Sequence, residues 1–190
     1  METGLKKYFD LILCALDNVE QPYYNLKTTY EPSGIVRERV FCYELYHQIR
    51  CLQTKRNEIE LTLNGEIDKR GHVAFAQEDQ KNPDFVFHIP GEMIGNTIVL
   101  EVKGRPDNSY KENCKKDFET IYCFIKKYHY KLGLFILYNH SLKECKNSLK
   151  SYLKCELNFD DFAITKNIYL ICKENHVSQS EYCTLFDFLK

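Results

Sequence analysis

The chain lacks an excess of either charge, and its 190 residues contain no long run of one charge sign. With a formal net charge of −1, it lacks the basic excess of many nucleic-acid-binding proteins. Any contact with nucleic acid would therefore depend on local Lys and Arg side chains in a cleft. Because hydrophobic residues make up 44% of the sequence, we expect a sizeable core and not a disordered chain.

Long apolar segments are also missing. No stretch reaches the roughly 18 uncharged apolar residues of a membrane-spanning helix. The apolar N-terminal segment, residues 5–19, is interrupted by Asp10 and Asp17, and no small-residue cleavage site follows. We therefore expect an amphipathic helix there, not a signal peptide.

The nine cysteines form no recognisable framework. No two of them have the two-residue spacing of a zinc ribbon, and their number is odd, so neither a zinc site nor a disulfide scaffold is expected. Cys14, Cys42, Cys123 and Cys172 have apolar neighbours and are typical of small core residues. These features favour a reducing, cytoplasmic compartment.

A length of 190 residues predicts a single domain over residues 1–190, with one domain and a small appendage as the alternative, and the sequence shows no repeat or linker. After the N-terminal helix and a loop up to residue 33, a helix is expected over 35–53, and Glu38 heads its apolar stripe. Alternation at Ile59, Leu61 and Leu63 predicts a strand, and Asn64-Gly65 predicts a hairpin that returns over residues 66–69.

The remaining elements alternate between strands and helices. We expect strands over 85–89 and 97–102, a helix over 115–130, a strand over 132–138, a helix from the capping box at Ser141 and Glu144 to about Cys155, and a strand over 167–172. This order predicts an α/β fold in which a mixed sheet is flanked by helices on both faces.

The chemically informative segment is Pro83-Asp84, followed after sixteen residues by Glu101-Val102-Lys103. Side chains of a strand alternate between its faces, so Glu101 and Lys103 project from the same face. Asp84 opens the preceding strand, which the hairpin places alongside. Two carboxylates of this kind can hold a hard cation such as Mg²⁺ or Mn²⁺, and a nearby Lys can position or deprotonate a water and offset charge on phosphate.

These residues resemble the signature of the PD-(D/E)xK nuclease superfamily, which includes restriction endonucleases and Holliday-junction resolvases. Glu38-Arg39, followed by Phe41 and Leu45, is similar to the glutamate pattern of that superfamily's first helix. The sequence over Gly65–Lys69 and Pro83–Gly91 further resembles uncharacterised prokaryotic members of this superfamily. The resemblance covers roughly residues 35–140 and implies a restriction-endonuclease-like core of helix, three strands, helix and strand, with extra elements over 1–33 and 141–190.

The resemblance implies a metal-dependent endonuclease with Glu38, Asp84, Glu101 and Lys103 as catalytic residues and Asp84 and Glu101 as metal ligands. DNA is favoured over RNA as the substrate, and a homodimer or a larger defence, restriction or repair complex is compatible with it. Two other functions stay open: a non-catalytic nucleic-acid-binding or scaffolding module on a nuclease fold, and a phosphohydrolase of small nucleotides.

Several residues have an ordinary structural explanation beside a functional one. Glu44 is the rival helix acid, but it lies about 120° around the helix from Glu38. His88 and Glu66 are second-tier candidates for the site. Pro106-Asp107 repeats the dipeptide without a following Glu-x-Lys. The cations after the second carboxylate could contact phosphates or could simply form a solvated helix face: Arg105, Lys111, Lys115 and Lys116.

Overall fold

The computed structural model describes residues 2–56, 59–65, 82–91, 95–104 and 109–190. Its helices are α1 (Thr3–Asp17), α2 (Gln21–Tyr24), α3 (Glu38–Gln53), α4 (Tyr110–Tyr128), α5 (Leu142–Glu156) and α6 (Leu185–Leu189), with a 3₁₀ helix at Phe162–Asn167. Its strands are β1 (Thr62–Gly65), β2 (Phe85–His88), β3 (Ile98–Lys103), β4 (Leu132–Tyr138), β5 (Ile168–Lys173) and β6 (Glu181–Thr184).

The six strands form one mixed sheet in the order β1-β2-β3-β4-β5-β6. The three central strands β3, β4 and β5 are parallel, whereas β1, β2 and β6 are each antiparallel to their neighbours. Because parallel strands end at the same side of a sheet, the carboxyl ends of β3, β4 and β5 form one edge. The start of β2 meets this edge beside the end of β3.

Helices cover both faces of the sheet, as the sequence predicts. One half of the core joins α1, α2 and α3 to one face of the sheet, and the other half joins α4, α5 and α6 to the opposite face. Leu100 and Val102 of β3 belong to the first half and Val99 to the second. Strand alternation therefore directs Glu101 and Lys103 towards the face covered by α4.

The structure corrects several element boundaries. Asn64 and Gly65 are the last two residues of β1, where they pair with Val86 and Phe85, so they are not the turn of a two-residue hairpin. The expected return over residues 66–69 lies outside the described residues. Helix α3 begins at Glu38 and not at residue 35. Helix α4 begins at Tyr110, five residues earlier than predicted, and ends before His129, which adopts a left-handed conformation with φ of 61°.

Other predictions at the element level are confirmed. All seven residues of β4 are buried, in agreement with a strand covered on both faces. Helix α5 begins with the predicted capping box, in which Ser141 and Glu144 exchange hydrogen bonds. Within the described ranges, no helix has both the length and the apolar character needed to cross a membrane.

Candidate active site

Asp84 and Glu101 lie side by side because β2 is antiparallel to β3. Phe85 pairs with Leu100, so the residue before β2 falls opposite Glu101. The backbone N–H of Asp84 donates to Oε2 of Glu101 at 3.3 Å, and the backbone N–H of Val102 donates to Oδ2 of Asp84 at 2.7 Å. Each carboxylate is therefore held by the backbone of the neighbouring segment.

Lys103, two residues further along β3, reaches the start of α3. Its Nζ donates to Oε1 of Glu38 at 3.2 Å, and the backbone N–H of Gly104 donates to Oε2 of the same carboxylate at 3.3 Å. Glu38 is the first residue of α3, so it joins this helix to the end of β3. The structure thus brings together the four residues to which the sequence analysis assigns catalysis.

Asp117 of α4 also belongs to this group and was not among the residues selected from the sequence. Its Oδ2 lies 3.3 Å from Nζ of Lys103. The sequence contained a signal for it. Asp117 follows Tyr110 and Cys114 and precedes Ile121 at helical spacing, and these three residues are buried, so an acid on this stripe is directed towards the sheet.

Burial and crowding of like charge dominate the electrostatics of the pair. Burial raises the pKa of Asp84 to about 6, although the hydrogen bond from Val102 acts in the opposite direction. Burial, followed by the negative charges of Asp84 and Asp117, raises the pKa of Glu101 well above its usual range. Two neighbouring desolvated carboxylates disfavour ionisation of both, and a bound cation would relieve that repulsion.

At Lys103, the neighbouring negative charges together affect the pKa more than burial does. Burial lowers its pKa, but the carboxylates of Asp117 and Glu38 outweigh burial and raise the pKa above the usual range. The side chain is thus held as an ammonium between two acids. This geometry fits the positioning and charge-offsetting role expected for Lys103 and disfavours the alternative in which it deprotonates water.

The oxygen atoms of Asp84 and Glu101 are of the type that Mg²⁺ and Mn²⁺ prefer. Among the described residues, no group of three or more His, Cys, Asp or Glu side chains is arranged to hold a metal ion. Mg²⁺ commonly takes only one or two carboxylates and completes its shell with water and substrate phosphate. The adjacent, partly desolvated pair therefore fits Mg²⁺ better than it fits a metal that requires a full set of protein ligands.

The remaining candidates lie apart from this group. Glu44 accepts a hydrogen bond from Nε2 of Gln48 at 2.6 Å and interacts with Tyr23. His88 contacts Oδ1 of Asn64 through Nε2 at 2.8 Å. It is four residues from Asp84 along an extended segment, a separation of about 13 Å.

The lysines of α4 that were considered as phosphate ligands are engaged elsewhere or are solvent-exposed. Lys115 lies 3.8 Å from Glu119 and 3.5 Å from Glu156, so its charge is compensated locally. The ammonium of Lys111 lies 5.9 Å from the ring centroid of Tyr152. Lys116 is exposed. Glu66, Arg105 and Pro106-Asp107 lie outside the described residues.

One pocket borders Asp84, and a larger cleft lies further along the same edge of the sheet. A pocket of about 380 Å³ lies between α3 and the β1–β2 pair, and Asp84 forms part of its wall. A larger cleft of about 910 Å³, lined in part by Val36, Asn139 and Asn175, lies over the carboxyl ends of β4 and β5. Gly104 is packed closely against Tyr138 and Val36, because a Cβ atom at this position would lie 2.6 Å from Oη of Tyr138 and 2.8 Å from Cγ1 of Val36.

Comparison of the chain with protein-family models, with curated proteins and with solved structures gave no match.

Proposed function

We propose that this protein is a divalent-metal-dependent nuclease that hydrolyses phosphodiester bonds, with DNA preferred over RNA. The observation that carries the proposal is the meeting of two partly desolvated carboxylates, Asp84 and Glu101, with the ammonium of Lys103 at one edge of the sheet. A polyanionic substrate needs positive charge at such a site. A cation bound by Asp84 and Glu101 would supply that charge and would also offset the repulsion between the two acids.

The proposal includes membership of the PD-(D/E)xK superfamily. Its support is the Pro83-Asp84 and Glu101-Val102-Lys103 motif together with the element order α3, β1, β2, β3, α4 and β4. That is the order of the restriction-endonuclease-like core. The glutamate at the start of the first core helix, Glu38, is hydrogen-bonded to the motif lysine, which links the two parts of the resemblance through a direct contact.

Each side chain has a separate part in the proposed reaction. Asp84 and Glu101 hold Mg²⁺ or Mn²⁺, which when bound supplies Lewis acidity and lowers the pKa of a coordinated water. Lys103 presents a fixed ammonium that stabilises the charge developing on the phosphate oxygens. Glu38 and Asp117 keep this ammonium at the end of β3, so it need not reorganise during the reaction.

The first experiment is incubation of the purified protein with plasmid, linear, single-stranded and branched DNA in Mg²⁺, in Mn²⁺ and in EDTA. We expect cleavage of at least one DNA form with either metal and none in EDTA, because the acids are oxygen ligands and no cysteine or histidine cluster lies beside them in the described part of the chain. Full cleavage in EDTA would show that the metal role is wrong.

A second experiment separates turnover from binding. Lys103→Ala should lower single-turnover cleavage by about 10²–10³-fold, the effect of removing one preorganised charge donor, while its affinity for DNA falls far less. Lys103→Arg keeps the charge and serves as the control for the ion pairs with Glu38 and Asp117. An equal loss of binding and cleavage in Lys103→Ala would make Lys103 a phosphate clamp instead.

One observation favours a second candidate, a non-catalytic nucleic-acid-binding or scaffolding module. Lys103 lies between two acids, which is also the arrangement of a purely structural ion-pair network. This candidate predicts that the protein binds DNA but cleaves none of the DNA forms with either metal. Binding and cleavage are compared at one fixed salt concentration because affinity for DNA depends on salt.

A further inference from the structure

The pocket between α3 and the β1–β2 pair has features that hydrolysis of a phosphodiester does not require. Tyr43, Tyr46 and Phe85 give it an aromatic wall, while Asp84 and Asn64 add polar groups. Asp84 belongs both to this pocket and to the proposed metal site. A nucleotide whose phosphate lies at Asp84 and Glu101 would therefore have its neighbouring base within reach of the pocket.

Two of the aromatic side chains form a fixed surface. The hydroxyl of Tyr46 donates to the carbonyl oxygen of Leu63 at 3.5 Å, and its ring lies 6.1 Å from the ring of the buried Phe85, tilted by 33°. The wall of the pocket is consequently preorganised.

Tyr43 differs from its neighbours because 64% of its surface is exposed. It precedes the core residues Leu45 and Ile49 on α3 but points away from the core face. A large aromatic side chain left in solvent beside a proposed active site is a ready partner for a flat ring. It adds an exposed edge to the fixed surface of Tyr46 and Phe85.

We propose that this pocket binds an unstacked nucleobase of the substrate strand, next to the scissile phosphate, by stacking on Tyr43. The inference rests on the proposed nuclease function and names its substrate class: single-stranded DNA, or duplex DNA with an unpaired base beside the cut. No Lys or Arg is among the described residues that line the pocket, so nothing there would neutralise a second phosphate, whereas the aromatic wall suits a neutral base. Bases in an intact duplex are stacked inside and do not reach such a surface.

The test is direct binding of a short single-stranded oligonucleotide that carries 2-aminopurine beside a fixed phosphate, with Ca²⁺ as the metal. Wild-type protein should change the fluorescence of 2-aminopurine. Tyr43→Ala should abolish that change and weaken affinity by roughly 5- to 150-fold, which corresponds to the 1–3 kcal/mol of one base–aromatic stack. Tyr43→Phe should stay within about twofold of wild type, because its ring can still stack.

Two controls make the result specific. Tyr30→Ala removes another exposed tyrosine, 93% exposed, that is not part of the pocket wall, and it should bind as wild type does. The affinity of wild type for an oligonucleotide with an abasic site should be as low as the affinity of Tyr43→Ala for the 2-aminopurine oligonucleotide. Tyr43→Ala should bind the abasic oligonucleotide no more weakly than wild type does. Blunt duplex should bind all these variants equally.

The outcomes separate this inference from the proposed function. If the protein cleaves DNA but Tyr43→Ala binds the single strand normally, the base pocket is wrong and the nuclease proposal stands. If the 2-aminopurine signal depends on Tyr43 but no DNA form is cleaved, the pocket stands and the nuclease proposal fails. A loss of affinity in Tyr43→Ala that persists with the abasic oligonucleotide would also overturn the pocket.

Discussion

Glu101 is the residue at which burial and charge conflict most strongly. Only 8% of its surface is exposed, and its nearest titratable neighbours include the acids Asp84 and Asp117. A carboxylate with a raised pKa in the folded protein is better solvated in the unfolded chain, so its ionised form destabilises the fold. In the proposed function, this destabilisation is offset by the bound cation.

Replacement of either acid by its amide should therefore stabilise the metal-free protein at neutral pH. Asp84→Asn removes the charge from a group whose pKa burial raises to about 6, and we expect a gain on the order of 1–3 kcal/mol in the free energy of unfolding. Urea denaturation in EDTA measures the gain, and Glu44→Gln, away from the pair, should change it by less than about 0.5 kcal/mol.

Added Mg²⁺ should reverse the order of stability of wild type and Asp84→Asn. It binds the folded state through both carboxylates, so it should stabilise wild type and leave Asp84→Asn almost unchanged. Equal stabilisation of the two proteins by Mg²⁺ would mean that Asp84 is not a ligand.

Glu38 and Glu44, both on α3, allow a matched comparison of cleavage activity. Glu38→Gln removes one of the two negative charges that hold Lys103, so we expect cleavage to fall on the order of 10–100-fold, as for other residues that orient a site. Glu44→Gln should cleave at the wild-type rate because Glu44 contacts Gln48 instead. Single-turnover rates of the two variants decide between them. An inactive Glu44→Gln with a normal Glu38→Gln would contradict this placement.

Most residues of the candidate site were selected from the sequence, and Asp117 was not, although its place on the buried stripe of α4 indicates that it faces the sheet. Strand alternation fixes the common face of Glu101 and Lys103, and the helical period fixes the face of Glu38, because both are local properties of the chain. Asp117 contacts Lys103 only because α4 crosses over the sheet. The helical period does not show which strand lies beneath this face of α4, because that depends on tertiary packing.

At the scale of elements, buried segments were predictable and edges were not. Strand β4 and the cap of α5 follow from an apolar run and a capping box. Strand β6 was missed because it is a short edge strand whose residues are exposed or half-buried and show no apolar alternation. Helix α6 was missed because its five residues are too few to show a helical period. The dipeptide Asn64-Gly65 favours a turn locally, but pairing with β2 overrides that preference.

The packing of α4 on β4 can be tested with two glycines. A Cβ atom on Gly133 of β4 would collide with Cγ2 of Ile121 of α4, so Gly133→Ala should lower the free energy of unfolding by about 1–3 kcal/mol. A Cβ atom on Gly4, in the first turn of α1, would meet no atom within 4 Å, so Gly4→Ala should leave the free energy of unfolding unchanged or raise it by less than about 0.5 kcal/mol. Urea denaturation of both variants measures the contrast. If Gly133→Ala were as stable as wild type, the close approach of α4 to β4 would be wrong.

At the scale of the whole molecule, the N-terminal helix is joined to the C-terminal part of the sheet. Phe9 of α1 contacts the rings of Tyr169 on β5 and Tyr182 on β6. Lys173, at the end of β5, is almost fully buried, and its ammonium donates to Oδ1 of Asp17 at 2.6 Å and to the carbonyl oxygen of Ser178. These contacts link residues more than 150 positions apart. The single domain over residues 1–190 stays a prediction.

If the chain is one cooperative unit, a change at this junction should destabilise all of it together. Asp17→Ala leaves the buried ammonium of Lys173 with fewer acceptors, and we expect a loss of about 1–3 kcal/mol. Asp10→Ala, on the same helix, removes only an exposed pair with Lys6 and should change stability by less than about 0.5 kcal/mol. The chain has no tryptophan and 14 tyrosines, so tyrosine fluorescence and far-ultraviolet circular dichroism report the urea transition. Both signals should shift to one lower midpoint in Asp17→Ala. Two separated transitions would show that α1 and the C-terminal strands unfold independently of the rest, and the prediction of one domain would then be wrong.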